Sequence, residues 1–314
     1  MTPIDFLLLA AFEPDSGPIP GELHHFIERE HLTQVLPLPV AYRPLRFNPE
    51  RGILACTTGV GAARAAASVM ALGLDPRFDL THAHILITGV AGIDPARGSL
   101  ASVVLPEYVV DGDLTHELDA REIPHDWPDG FVPIGKSTPY EQPLAPRFNG
   151  DDGILFHLNP ELTSRALNLT SDLDLLDTPA IARRRRLFNP AETAHEPPSI
   201  LAGDELASST FWHGSLLSAR ARAWVDYQSQ GSASYAITAM EDAGILQSLT
   251  FLAAAGRVDL ARVLILRAAS NYDQQRPGVT AAESLIESRV AANSAYLPAL
   301  ENAHRAATRL LQEL

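Results

Sequence analysis

The sequence predicts an α/β fold, a single domain (1–314) in which a mixed, mainly parallel central sheet is flanked by helices and interrupted by a loop-rich insertion. Three observations carry this expectation. Short runs rich in Ile, Leu and Val recur along the chain, as strands buried on both faces require. The segments joining them are helical or turn-rich, as the crossovers of a parallel sheet must be. Finally, 46% apolar residues in a chain of 314 supply enough material for a substantial core.

Taken in order, the first strand is the apolar run Ile4 to Ala11. No basic region precedes Phe6 to Phe12 and no small-residue cleavage pattern follows it, so it reads as a strand and not as an export signal. Ile53 to Thr58, Ala83 to Gly89, Ala101 to Val110 and Arg262 to Ser270 are four further strands. Their ends collect small and polar residues: Phe12-Glu13-Pro14-Asp15, Thr57-Thr58-Gly59, Thr88-Gly89 and Ser270-Asn271. Ligands in open parallel sheets sit beyond the carboxyl ends of strands, so these ends mark the expected site. From 113 to 198 the chain is rich in Pro, Asp, Arg and Asn. This is the expected insertion, with a helix from Pro160 to Leu169 capped by Asn159. The stretch 281–314 is helical by period, with Leu285, Val290, Leu297, Leu300, Ala307, Leu310 and Leu311 on apolar faces.

Gly231 to Gly256 reads as one helix whose only charged residues are Glu241 and Asp242. On such a helix Glu241 shares a face with Ile237, Thr238, Gly244 and Ile245, and a carboxylate on so apolar a surface needs a partner. A neighbouring N–H or hydroxyl is the ordinary partner, and a ligand is the more informative alternative.

Totals exclude several classes of function. Twenty-four basic against 38 acidic residues give a net charge of -14, which disfavours nucleic acid and anionic membrane surfaces and favours a small or neutral ligand. Cys56, the only cysteine, can form neither an internal disulfide nor a thiolate zinc site. The single lysine, Lys136, lies in a turn-rich loop, unlike the desolvated lysines of Schiff-base chemistry. No window offers the roughly 18 apolar residues of a membrane span. His24, His25, His31 and His195 lack the spacing of a metal site, so no metal and no cofactor are expected. Arg183 to Arg186 read as a solvated face.

Two strand-to-helix turns could approach a ligand closely. Thr58-Gly59-Val60-Gly61 opens the alanine-rich run from Ala62, and Ile87-Thr88-Gly89-Val90-Ala91-Gly92 repeats the arrangement. A glycine there admits close backbone approach and a helix N-terminus favours an anion, but a plain tight turn explains the pattern equally.

In this order the segments TGVGAARAA, ITGVAG, GSLASVVLPEYVV, AMEDA and RAASNYD resemble the nucleoside phosphorylase and nucleosidase superfamily. With LAAFEPD, DLTHELDAREIPHDWPDGF and PALENAH, nearly the whole chain is similar to the purine nucleoside permease family. The resemblance implies a purine nucleoside ligand, with Met240 and Glu241 gripping ribose hydroxyls, a task that suits a carboxylate's two acceptor oxygens. It places the strand-end turn Gly89, Val90 and Ala91 at the ligand, Phe211 and Trp212 against the base, and Ser270 and Asn271 at the base edge. Asp15, or Glu13 two residues before it, would orient or activate the attacking water, with a turn or helix cap as the equal alternative. Superfamily phosphorylases carry an arginine and a hydroxyl where this chain has Ile87 and Val90, which favours water over inorganic phosphate as nucleophile. Arg64 or Arg121 would have to replace the lost charge. Asn271 stands where adenine-cleaving members have aspartate, and its amide suits a 6-oxopurine. Asp273 could donate a proton if it reached the site, with solvent exposure expected instead. A homo-oligomer is expected from the resemblance, and a cytoplasmic location is the remaining expectation.

Overall fold

The computed structural model describes residues 1–144, 153–188, 193–288 and 295–314. In chain order its strands begin with β1 (Thr2–Pro3), β2 (Phe6–Ala10), β3 (Gln34–Leu36), β4 (Leu45–Asn48), β5 (Ile53–Thr57), β6 (Phe78–Asp79) and β7 (His84–Ile93). They continue with β8 (Val103–Leu105), β9 (Tyr108–Asp111), β10 (Thr115–Glu117), β11 (Phe131–Pro133), β12 (Leu155–His157), β13 (Ile200–Ala202), β14 (Asp204–Ala207), β15 (Tyr235–Ala239) and β16 (Val263–Tyr272). The helices are α1 (His24–Arg29), α2 (Ala62–Gly73), α3 (Pro160–Thr170), α4 (Pro179–Arg185), α5 (Ser215–Ser229), α6 (Asp242–Ala254), α7 (Ala281–Ser288) and α8 (Tyr296–Glu313).

Twelve strands form one mixed sheet whose main path runs β12-β9-β14-β15-β7-β2-β5-β4-β3, with β16 on the far edge of β7 and β8 and β13 beyond it. The mixed α/β sheet flanked by helices is the predicted fold. Alternation along β2 explains the layers. Leu7 and Leu9 point into a core shared with Val69 and Leu72 of α2 and Leu246 and Leu249 of α6. Leu8 and Ala10 point the other way, against Ala303 and Leu310 of α8 and Leu162 of α3, as the two-residue period of a strand demands. Helices α2 and α6 approach so closely that a Cβ on Gly244 would lie 2.3 Å from the Ala62 carbonyl oxygen.

Several expected elements change. Gly231 to Gly256 is not one helix: Tyr235–Ala239 is a buried strand and the helix begins only at Asp242. A short apolar run fits a buried strand and a buried helix equally well by period, and pairing with β14 and β7 decides it. Ala101 to Val110 divides into β8 and β9 around Pro106, which has no N–H for a ladder. The first and last central strands keep close to their expected bounds, whereas β7 runs on to Ile93. The 113–198 segment contributes the β10–β11 hairpin, strand β12 and helices α3 and α4. Asn159 caps α3 as expected, its Oδ1 accepting from the N–H groups of Glu161 and Leu162. The C-terminal stretch forms α7 and α8, with Val290 outside the described residues.

Candidate active site

The site arises because β7 loses a neighbour for half a turn of sheet. β16 accompanies it along one edge. On the other edge β2 pairs with His84–Ile87 and antiparallel β15 with Gly92 and Ile93. Between those two pairings β7 meets no strand, and a cavity of about 190 Å³ opens there. The ends of β2, β7, β15 and β16 supply Ala11 and Phe12, Val90 to Gly92, Thr238 to Glu241, and Ser270 and Asn271. Val60 ahead of α2 and the Thr210–Trp212 loop after β14 complete the wall, together with Glu22 just ahead of α1.

Glu22 does what a strand would have done. One carboxylate oxygen accepts from the N–H groups of Ala11 and Phe12, at 2.8 and 2.9 Å, and the other from the Val90 N–H at 2.8 Å. Buried backbone donors must be satisfied somewhere, and here a side chain from a separate segment satisfies three of them. Sequence reading missed this residue. The only local signal is an acid in Gly21-Glu22-Leu23 immediately before an amphipathic helix.

Glu241 faces it from the end of β15. It is buried, with one oxygen accepting from Gly61 N–H at 3.1 Å and the other 3.5 Å from Arg267 Nη2. Burial pushes its carboxyl up to about 7, against the pull of Arg267 and the Gly61 N–H. Its neighbour Asp242 turns inward and binds Arg267 through both oxygens, Oδ2 lying 3.0 Å from Nε. Burial alone would lower the Arg267 value, but the Asp242 charge beside it raises it overall. Arg267 Nη1 is buried and has no partner among the described residues.

Gly89 does not line the cavity, but its missing side chain makes room beside it. A Cβ there would lie 2.5 Å from Glu22 Oε1 and 2.6 Å from Arg267 Nη1, and its φ of +148° disfavours other residues. At the β16 end of the cavity, Asn271 Oδ1 accepts from Ser270 Oγ and its Nδ2 donates to the Tyr272 carbonyl, both at 3.0 Å. One amide hydrogen is left to point elsewhere. Trp212 packs against Tyr235, and its buried Nε1 lacks a partner among the described residues. Phe211 lines the cavity while 56% exposed, which excludes a core role.

Other expected residues lie elsewhere. Asp15 is exposed and paired with Arg43, and Glu13 accepts from the Thr57 hydroxyl at 2.9 Å; neither lines the cavity. Against the expectation of solvent exposure, Asp273 is buried, only 1% exposed, accepting from Tyr235 and Ser218 hydroxyls at 2.7 and 2.9 Å. Burial, with Asp94 nearby, pushes it up to about 7. The α2 N-terminus is no open anion site, since Gly61 and Ala62 give their N–H groups to Glu241 and Ser209. Arg121 pairs with Asp119 in solvent, and Arg64 lies outside the cavity. Arg185, expected on a solvated face, is buried against Asp177. His24, His25 and Glu28 converge to within 4.8 Å outside the cavity, a proximity that their spacing did not suggest. Among the described residues no helix is long and apolar enough to cross a membrane.

This fold is that of the nucleosidases. The chain aligns with the MTA/SAH nucleosidase of Streptococcus pneumoniae at a TM-score of 0.57 and 15% identity, covering 99% of this chain and 100% of that one. A futalosine hydrolase mutant of Helicobacter pylori aligns at 0.56 and 14%, with 99% and 100% covered. The chain belongs to the purine nucleoside permease family, whose model matches residues 3–314. A Schizosaccharomyces pombe protein named a probable purine nucleoside permease is 32% identical over 79% of this chain and 72% of its own length. The purine nucleoside permease of Candida albicans is 32% identical over 78% of this chain, and the match spans only 60% of that relative.

Proposed function

We propose that the protein hydrolyses the N-glycosidic bond of purine nucleosides, with 6-oxopurines preferred. The observation that carries this reading is the placement of Glu22. Its carboxylate occupies the three backbone N–H groups at the ends of β2 and β7, donors that are then not free for an inorganic phosphate. It brings a negative charge to the ground a phosphate would occupy. Across Gly89 from it, outside the cavity, stands Arg267 Nη1, buried and without a partner among the described residues. A water on the cavity side of Glu22 meets an acceptor for its proton.

Water oxygen bonds to C1' as the bond from C1' to the purine nitrogen breaks, and the electron pair of that bond leaves with the base. Glu22 takes the proton released by water, in place of the Asp15 or Glu13 expected from sequence. Glu241, with Met240 beside it, accepts from the ribose hydroxyls, and the two carboxylates stabilise the cationic sugar of the transition state. Asn271, fixed by Ser270, directs its remaining N–H to the purine edge, while Phe211 and Trp212 flank the ring. An amide donates a hydrogen bond but no proton, so it suits a leaving purine whose 6-oxo group spreads the charge.

The relatives' names favour a second reading, a nucleoside-binding protein that serves transport. Incubation with inosine, guanosine and adenosine, with and without phosphate, separates the readings by product. Free ribose without phosphate supports hydrolysis, ribose 1-phosphate means phosphorolysis, and tight binding with no product means a binder.

A further inference from the structure

Behind the cavity lies a carboxyl that the proposed chemistry does not use. Glu205 sits on β14, 0% exposed, and neither of its oxygens meets an N–H or O–H donor among the described residues. The groups facing it are Asp242 and Glu241, at the start of α6, and Arg267 from β16, with the Asp242 carboxylate within hydrogen-bond reach. One guanidinium pairs with Asp242 and Glu241, while Glu205 and Glu22 feel its charge without an ion pair to it. Four ionised carboxylates around one cation, with one of the four lacking any donor, would leave buried charge uncompensated. A neutral carboxyl resolves both problems, since its O–H supplies the donor that Asp242 can accept.

We propose that Glu205 keeps its proton in the folded protein and is a positioning residue, donating to Asp242 so that Asp242 and Arg267 are held in register behind Glu241 and Glu22. Burial, reinforced by the Asp242 charge, pushes the Glu205 carboxyl well above its ordinary value. By sharing the Asp242 charge, the O–H leaves more of the Arg267 charge for the two cavity carboxylates. The catalytic part of this inference rests on the hydrolase reading, whereas the protonation part does not.

Urea unfolding of wild type, Glu205→Gln and Glu205→Leu from pH 5 to 8 tests the proton. The unfolded chain ionises Glu205 and the folded protein does not, so wild type loses stability with rising pH while Glu205→Gln is spared that loss. The ratio of their folding constants should rise by up to about tenfold per pH unit, and a ratio flat with pH would overturn the proposal. Inosine cleavage across the same range tests the positioning. Glu205→Gln, which can still donate to Asp242, should keep the wild-type acid limb and KM, whereas Glu205→Leu should raise KM and move the limb to higher pH. A downward move in Glu205→Gln means an ionised Glu205, and wild-type KM and limb in Glu205→Leu remove the positioning role. Should Glu205→Leu fail to fold, both Glu205→Gln measurements still decide. Absence of cleavage in wild type would sink the hydrolase reading, and the unfolding measurement would stand.

Discussion

Glu241 and Asp242 are adjacent in sequence and both buried, yet they belong to different chemistry. Glu241 lies between β15 and α6 and faces the cavity with Glu22, held by one backbone N–H and a long contact to Arg267. Asp242 starts a helix, faces the core and binds the same arginine through both oxygens. The front pair keeps acceptor capacity for a ligand, while the rear pair spends its capacity inside the protein. Adjacent acids thus separate into a working layer and a supporting layer according to which side of the strand end they leave.

The largest expected effect breaks the front layer. Glu22→Gln, whose amide also leaves at least one strand-end N–H without an acceptor, should lower kcat for inosine by roughly a hundred- to ten-thousand-fold, the range of general-base catalysis; steady-state kinetics checks this. Breaking the rear layer should destabilise the fold as well as disturb the site. Arg267→Met leaves Asp242 buried without its partner and should cost about 3–5 kcal/mol in denaturant unfolding.

Titration sharpens the same contrast. Because the Glu241 carboxyl is raised to about 7, and on the proposed reading ribose hydroxyls donate to its ionised form, nucleoside affinity should fall by up to about tenfold per unit as pH drops below 7. Calorimetric titration of wild type and Glu241→Gln checks this, since the variant should bind weakly at every pH. Unliganded stability runs the other way. Glu241 and Asp273 hold protons in the folded state that the unfolded chain releases between the ordinary carboxyl range and about 7. Stability should therefore decline as pH rises through that window.

Smaller effects test the edges. Asn271→Asp should move the ratio of inosine to adenosine turnover toward adenosine by about tenfold, the scale of one hydrogen bond to a charged group. An unchanged ratio would refute the base assignment. Asp15→Asn should change kcat less than twofold and stability by under about 0.5 kcal/mol, as expected of an exposed ion pair.

Legibility in the sequence followed the range of the interactions. The strands Phe6–Ala10 and Ile53–Thr57 and the Asn159 cap declared themselves because apolar runs and caps are short-range signals. Met240, Glu241 and Asn271 stood out through resemblance, and the structure brings all three to one cavity. Gly231–Gly256 was misread because an apolar stretch with two acids at its centre has no period that distinguishes a buried strand followed by a helix from one helix. Glu13 and Asp15 drew attention by lying at a strand end, whereas Glu22 was hidden by a loop that returns to that end ten residues later.

By itself, then, the sequence determined the alternation that buries both faces of the sheet, the strand ends at which a ligand could sit, and the presence of acids near them. Only the tertiary structure decided which acid serves which purpose. Carboxylates are alike along a chain, and their roles are set by the donors that reach them and the water they lose. Here those donors are three strand-end N–H groups for Glu22, one guanidinium divided between Glu241 and Asp242, and no N–H or O–H among the described residues for Glu205.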